Sequence, residues 1–151
     1  MPEYREKLWP SPWLFVIIAL VIPASLLVFL PISPLVGALT AAGLYLGSAL
    51  LLVLASPTVQ VSGGVLTAGR ARIETRLLGE AVPVDAAEAT LERGQRLDSR
   101  AWLLIRGWIA PVVRIPLDDP TDPAPYWLVS SRRPHKMAAA INGSRRPASS
   151  N

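Results

Sequence analysis

Two long, mostly hydrophobic runs without a charged residue lie near the N-terminus, at residues 13–30 and 35–55. The stretch from Leu8 to Gly69 contains no Asp, Glu, Lys, Arg or His. At 1.5 Å per residue, a helix over 13–30 is about 27 Å long, close to the hydrocarbon thickness of a bilayer. A charge at the bilayer centre costs several kcal/mol, which explains the absence of charged residues. The pattern therefore predicts two transmembrane helices.

The connection between the runs predicts that the two helices are antiparallel. Residues 31–34 include Pro31 and Pro34, which interrupt a helical ladder and favour a turn. Such a short connection joins only neighbouring antiparallel helices, so the pair is expected to form a hairpin. Pro23 removes one backbone hydrogen bond and predicts a kink in the first helix. Gly43 and Gly47 form a small-xxx-small pair that serves close packing, either within the hairpin or between two molecules.

Two other interpretations of the apolar runs fit less well. A cleaved signal peptide has a basic start and a short apolar core, whereas Glu3 and Glu6 here offset Arg5 and Lys7. A second apolar run also follows the first at once. Two buried helices of a soluble core would be unusual at such lengths without a charge, because about a quarter of residues in average domains are charged.

Flanking cations predict the orientation of the hairpin. Residues 31–34 carry no positive charge, whereas both outer flanks do, at Arg5, Lys7, Arg70, Arg72 and Arg76. The positive-inside rule then places both termini in the cytoplasm. Residues 1–12 are accordingly expected to form a cytoplasmic N-terminal tail.

After the hairpin, the pattern changes to short alternating segments. Residues 58–62 and 65–67 flank Gly63-Gly64, which is typical of a β-hairpin. Further strands are expected within 71–78, 101–105, 109–117 and 126–130, and 82–91 suits either a strand or a short helix. A helix is expected from Pro134 to a stop at Asn142-Gly143. The prediction is a membrane-anchored α+β protein with a β-rich cytoplasmic domain at 56–142 and a disordered basic tail at 143–151.

Three stretches carry a resemblance to a known family. They are DPTDPAPYWLVSSRRP at 119–134, Arg106-Gly-Trp upstream of it, and Pro10-Ser-Pro-Trp13. Together they resemble an actinobacterial family of uncharacterised two-span membrane proteins, a domain of unknown function, over nearly the whole chain up to Ile141. The resemblance implies a multi-pass protein of the bacterial plasma membrane and no activity. The order of elements also resembles bacterial membrane-anchored pleckstrin-homology-like domains with a C-terminal helix.

The sequence provides no convincing catalytic or metal site. Cysteine is absent and there is one histidine, so thiolate chemistry and a histidine-rich metal site are not expected. Ser130 and Ser131 lie near His135 in sequence, but a strand and a helix are predicted to separate them. The aspartates of 118–122 alternate with prolines and indicate a turn rather than a calcium loop. No enzyme activity and no cofactor are predicted.

Basic and aromatic residues near the end of the chain form a candidate interaction surface. Its members are Arg106, Trp108, Tyr126, Trp127, Arg132 and Arg133. Arginines can bind phosphates or carboxylates through two hydrogen bonds, and cations near a leaflet attract anionic headgroups. Alternatively, Arg132 or Arg133 pairs with a nearby aspartate and holds the loop. The net charge of +4 is modest, so nucleic acid is not an expected partner.

Two functions are expected from these features. The first is a non-enzymatic, membrane-tethered interaction or scaffold module whose cytoplasmic domain binds a protein partner or anionic lipid headgroups. The second is an accessory subunit of a larger membrane complex, with the transmembrane hairpin as the main interface to a membrane-protein partner or to a second copy of the chain.

Overall fold

The computed structural model describes residues 4–145. Within this range the chain forms two compact units: residues 9–56, and a discontinuous unit of residues 4–8 and 57–145. The protein is a mixed α+β structure with apolar helices near its N-terminus, two β-sheets and a C-terminal helix.

The first unit contains three helices, α1 (Pro12–Ile18), α2 (Val21–Phe29) and α3 (Pro34–Leu54). The predicted span at 13–30 is interrupted between α1 and α2, because Pro23 has no N–H to donate to the carbonyl of Ala19. That carbonyl accepts instead from Ile22 at 3.0 Å, which tightens the turn. The helix is therefore interrupted about one turn before Pro23, where the sequence predicted a kink.

Both predicted spans are present as helical segments. Pro12–Phe29 and Pro34–Leu54 are long and apolar enough to cross a membrane, with mean hydropathies of 2.5 and 1.9. Only 6% and 11% of these stretches are buried within the chain, unlike the core helices of soluble proteins. At the start of α3, Ser33 Oγ accepts a hydrogen bond from the Val36 N–H, which caps the helix.

An antiparallel four-stranded sheet opens the second unit. Its strands are β1 (Tyr4–Lys7), β2 (Thr58–Ser62), β3 (Val65–Ala68) and β4 (Ala71–Glu74), in the order β1-β2-β3-β4. The predicted hairpin around Gly63-Gly64 is confirmed, and both glycines have positive φ. Residues 4–7 of the predicted tail at 1–12 form β1, with the Tyr4 and Glu6 side chains buried.

A second sheet follows, with order β5-β7-β8-β6. Its strands are β5 (Val82–Val84), β6 (Trp102–Leu104), β7 (Val112–Pro116) and β8 (Tyr126–Ser130), and β6 pairs with β8 in parallel. Helix α4 (Ala86–Arg93) follows β5, so residues 82–91 contain both a strand and a helix. The strand expected at 71–78 ends at Glu74 and continues as the 3-10 helix Thr75–Leu77.

The C-terminal helix, α5 (Pro134–Arg145), buries Met137, Ala138 and Ile141 in the main core. It continues past the predicted stop at Asn142-Gly143, because its last turn is held by other elements. The Asn142 side chain bonds both backbone groups of Ala81, at 2.8 and 3.0 Å, and Arg145 Nε donates to the Leu78 carbonyl at 2.8 Å. The rest of the predicted basic tail lies outside the described residues.

Candidate functional site

A buried carboxylate joins β1 to the segment between β8 and α5. Glu6 Oε2 accepts hydrogen bonds from the Tyr4 hydroxyl at 2.7 Å and from Ser131 Oγ at 2.6 Å. Glu6 Oε1 accepts from the Arg132 N–H at 2.8 Å. Glu6 is 6% exposed and Ser131 is fully buried. Three donors therefore satisfy the carboxylate in a site that solvent scarcely reaches.

The Arg133 side chain covers the same junction from outside. Its guanidinium carbon lies 5.2 Å from the centroid of the Tyr4 ring, and Nη2 donates to the Arg5 carbonyl at 3.2 Å. Burial raises the pKa of Tyr4 to about 12, with a smaller contribution from the hydrogen bond to Glu6. Arg132 and Arg133 are exposed. They are thus brought to β1, a neighbour that the sequence did not indicate.

Tyr126 and Trp127 belong to the core rather than to a surface. They are 3% and 4% exposed and lie on opposite faces of β8. Trp127 packs against Trp102 with ring centroids 4.7 Å apart, and the Tyr126 hydroxyl accepts from the Asp98 N–H at 2.9 Å. The structure therefore separates these two aromatic residues from the predicted interaction surface.

Arg106 and Trp108 lie in the loop between β6 and β7. The Arg106 N–H donates to Ser130 Oγ at 2.9 Å, and Arg106 Nη1 donates to the Ile105 carbonyl at 3.0 Å. Trp108 is half-buried and packs against the main core, whereas Gly107 between them is exposed. This loop is a partly exposed basic and aromatic segment that a hydrogen bond joins to Ser130 of β8.

This loop belongs to the edge of the second unit where the chain enters and leaves residues 9–56. The Leu8 N–H donates to the Pro57 carbonyl at 2.8 Å, and the Gly69 N–H donates to the Thr58 carbonyl at 3.0 Å. A Cβ at Gly69 would lie 3.6 Å from the Pro57 Cβ and 3.5 Å from Leu104 Cδ1. The β3–β4 turn and the end of β6 are therefore neighbours of this chain junction.

The residues considered for catalysis are held in unrelated contacts. His135 Nε2 lies 3.2 Å from Asp85 Oδ1 in an exposed pair, whereas Ser130 and Ser131 bond Arg106 and Glu6. The serines and His135 thus have different partners. Among residues 4–145, no group of three or more His, Asp or Glu side chains is placed to hold a metal ion.

The aspartate-rich loop has the geometry of turns. Asp119 Oδ1 accepts from the Thr121 N–H at 2.9 Å and from the Thr121 hydroxyl at 2.6 Å, and these bonds lower the pKa of Asp119. Asp122 Oδ1 accepts from the Ala124 N–H at 2.9 Å. The carboxylates therefore stabilise their own loop.

Comparison with known families gives a match to a family described as "Protein of unknown function (DUF3093)", over residues 3–141. The chain belongs to the DUF3093 family. The predicted resemblance to an uncharacterised family is confirmed to this extent. Neither the curated proteins nor the solved structures contain a significant match.

Two small-residue faces of α3 in this DUF3093 protein differ in their surroundings. Gly37 and Ala41 are buried, and a Cβ at Gly37 would lie 3.4 Å from Leu26 Cδ2 on α2. Beyond its own helix, a Cβ at Gly43 or Gly47 would meet no atom of residues 4–145 within 4 Å. The hairpin is therefore packed through Gly37 and Ala41, while the predicted packing pair is open.

The junction residues Tyr4, Glu6 and Ser131 were missed by sequence reasoning. A signal existed, since Tyr4, Glu6 and Leu8 alternate with more exposed residues in the period of a strand. A glutamate at an inward position weakened that signal, because an unpaired buried carboxylate is unfavourable. Two of the three hydrogen bonds that satisfy it come from residues more than a hundred positions away.

Proposed function

We propose that this protein is a non-enzymatic, membrane-tethered interaction module of the bacterial plasma membrane. Helices α1–α3 form a two-span transmembrane hairpin, and the two-sheet unit is cytoplasmic and binds a protein partner or anionic lipid headgroups. The observation that carries the proposal is the β1–β2 ladder, because it pairs the strand before the apolar helices with the strand after them.

The ladder supports a hairpin that returns to its starting side. β1 pairs with β2 from Tyr4↔Val61 to Lys7↔Thr58, and the Leu8–Pro57 hydrogen bond extends the pairing. Residues 9–56 therefore begin and end at one point of a sheet. Two apolar helices that both cross the bilayer and are joined by a short turn bring the two ends of this segment back to the same side. The backbone within the hydrocarbon is then helical, so its polar groups are hydrogen-bonded.

Charge supports the cytoplasmic orientation. Arg5 and Lys7 lie on β1, and Arg70 and Arg72 lie on the β3–β4 hairpin, close in sequence to the apolar segment. The turn at 31–34 has no cation. Cytoplasmic flanks of bacterial spans carry this excess of Arg and Lys.

Element order supports a pleckstrin-homology-like interpretation of the second unit. Two sheets and a C-terminal helix that packs into their core agree with that architecture. The parallel pairing of β6 with β8 and the additional helix α4 are departures from a purely antiparallel arrangement. Such units are interaction modules, so this interpretation favours binding over catalysis.

Membrane fractionation followed by crosslinking tests the proposal. We expect the full-length protein to stay with membranes through alkaline carbonate washing and to need detergent for release. Crosslinking in native membranes, with mass spectrometry, is then expected to place crosslinks from the cytoplasmic unit on a partner protein or on lipid. Release of monomeric, folded protein by carbonate alone would contradict the proposal.

An accessory-subunit function is the second candidate, and the open face of α3 favours it. Gly43 and Gly47 permit close approach of another helix, and the hairpin itself does not use them. A multi-span partner that co-purifies in stoichiometric amount at high salt would support this function. Gly43→Leu with Gly47→Leu is expected to abolish that co-purification, whereas Arg132→Ala with Arg133→Ala is expected to preserve it.

A further inference from the structure

We propose that the edge of the second unit at which the chain connects to the apolar helices binds the phosphate groups of anionic lipids. This headgroup edge consists of Lys7, Arg70 in the β3–β4 turn, and the loop Arg106-Gly107-Trp108. The inference rests on the membrane insertion proposed above. It differs from the predicted surface because it replaces Tyr126, Trp127, Arg132 and Arg133 as the lipid contacts.

Chain connectivity places this edge at the bilayer surface. Helix α3 ends at Leu54, and Pro57 already belongs to the folded unit. Gly69 lies against Pro57, with a Cβ-to-Cβ separation of 3.6 Å for a built Cβ. Arg70 is the next residue, and consecutive Cα atoms are 3.8 Å apart. An apolar helix that ends in the headgroup region thus brings the exposed Arg70 side chain there as well.

The β6–β7 loop reaches the same edge through Leu104. Leu104 Cδ1 lies 3.5 Å from the built Cβ of Gly69, and Arg106 follows Leu104 by two residues. Hydrogen bonds of the Arg106 N–H and of Nη1 hold the loop in position. Arginine beside tryptophan suits a headgroup layer, because the guanidinium binds phosphate and the indole favours the interface.

The charge of the edge is one-sided. No acidic residue occurs from Leu8 to Ile73, and the acidic group on β1, Glu6, is buried and hydrogen-bonded within the protein. The strands that carry this end of the sheet therefore place no exposed acidic residue beside Arg70. At the other end of the sheet, Arg76 is paired with Glu74. The second unit is covalently joined to the helices proposed to insert in the bilayer, so anionic lipid is a partner present at high local concentration.

Labelling depth tests where the edge lies. The chain has no cysteine, so single cysteines can be introduced at Gly107, where a built Cβ has open space, and at Arg76 as the distant control. Each full-length variant carries a nitroxide and is placed in nanodiscs containing phosphatidylglycerol. We expect the nitroxide at Gly107→Cys to collide more often with oxygen than the nitroxide at Arg76→Cys does. We expect the nitroxide at Arg76→Cys to collide more often with a water-soluble nickel chelate. Equal accessibility at both sites would overturn the proposal.

Lipid affinity tests the chemistry. Native mass spectrometry of the detergent-solubilised protein with added phosphatidylglycerol is expected to show adducts that Arg70→Gln and Arg106→Gln each weaken about fivefold. Arg76→Gln removes the same charge at the opposite end of the first sheet and is expected to leave the adducts unchanged. Inorganic phosphate, added at the same concentration as the lipid, is also expected to leave them unchanged. Equal weakening by all three variants, or displacement by inorganic phosphate, would overturn the lipid assignment.

The two proposals fail separately in these experiments. Protein that needs no detergent contradicts membrane insertion and the headgroup edge together. Protein that inserts, yet shows a water-exposed Gly107 site and unchanged adducts in Arg70→Gln, contradicts the headgroup edge alone.

Discussion

At the residue scale, the buried Glu6 carboxylate joins β1 to the segment between β8 and α5 in the second unit. Its carboxylate accepts from Tyr4, Ser131 and the Arg132 backbone. Glu6→Ala would leave these buried donors without an acceptor, so we expect a loss of about 3 kcal/mol in the free energy of unfolding. Guanidinium unfolding in detergent, followed by tryptophan fluorescence, measures this loss.

The matched control for Glu6 is Glu74, an exposed glutamate on β4 of the same sheet. Solvent screens exposed ion pairs, so Glu74→Ala is expected to have little effect on the free energy of unfolding. Similar small losses for both variants would show that the buried hydrogen bonds of Glu6 do not stabilise the junction.

Tyr4 predicts a loss of stability at alkaline pH. Its folded-state pKa of about 12 exceeds the ordinary value of 10.0, chiefly because burial disfavours the phenolate. The folded state thus holds the proton more tightly than the unfolded state, and the resulting stabilisation is fully present below pH 10.0. It declines as the pH rises toward about 12. Unfolding free energies of Tyr4→Phe are expected to fall less steeply over this window, and parallel curves would refute the assignment.

Residue identity alone did not distinguish buried aromatics from exposed ones. Tyr126 and Trp127 follow a proline-rich loop and precede two arginines, a pattern that favours a surface. Both are buried because β8 is covered on each face, by the main core and by a smaller cluster around Ala89 of α4. A strand that is covered on both faces has apolar residues at successive positions rather than an alternating pattern. The arginines beside β8 therefore gave no information about its burial.

At the element scale, the two small-residue faces of α3 make opposite predictions. Gly37→Leu would force a large side chain against Leu26 and Phe29 of α2, where even a Cβ meets atoms at 3.4 and 3.5 Å. Gly43→Leu would project into open space. We expect Gly37→Leu to lower the thermal stability of the detergent-solubilised helices, measured by circular dichroism, and Gly43→Leu to leave it unchanged. The reverse order would contradict the packing described.

Helices and hairpins were largely predictable because their signals are local. The apolar runs, Gly63-Gly64 and Pro134 marked element starts or turns that the structure contains. The end of α5 was not predictable from local sequence, because Asn142 and Arg145 contact residues far away in sequence. β1 was missed for the same reason, since its pairing partner follows the whole apolar segment.

At the scale of the whole molecule, the second unit is discontinuous, and this determines which chain can fold alone. Residues 57–145 lack β1, so they lose an edge strand together with Glu6 and Leu8, which is fully buried. A short Gly-Ser linker in place of residues 9–56 should restore folding, since the Leu8 N–H already bonds the Pro57 carbonyl. We expect dispersed amide NMR signals from the linked chain and poor dispersion from residues 57–151. Equal dispersion would show that β1 is dispensable.

The whole-molecule arrangement in the membrane gives the last prediction. Ile32 lies in the turn between α2 and α3 and is 75% exposed, whereas Gln60 lies on β2 opposite Arg5. Two crossings would put these positions on opposite sides of the bilayer, with Gln60 facing the cytoplasm. In the cysteine-free background, an impermeant maleimide should label Ile32→Cys in intact spheroplasts and Gln60→Cys only in inverted vesicles. The β1–β2 ladder pairs Gln60 with Arg5, so a label at Gln60 reports the side of the membrane on which the apolar segment starts. Labelling of both positions from one side would therefore rule out a two-span hairpin, and with it the headgroup edge.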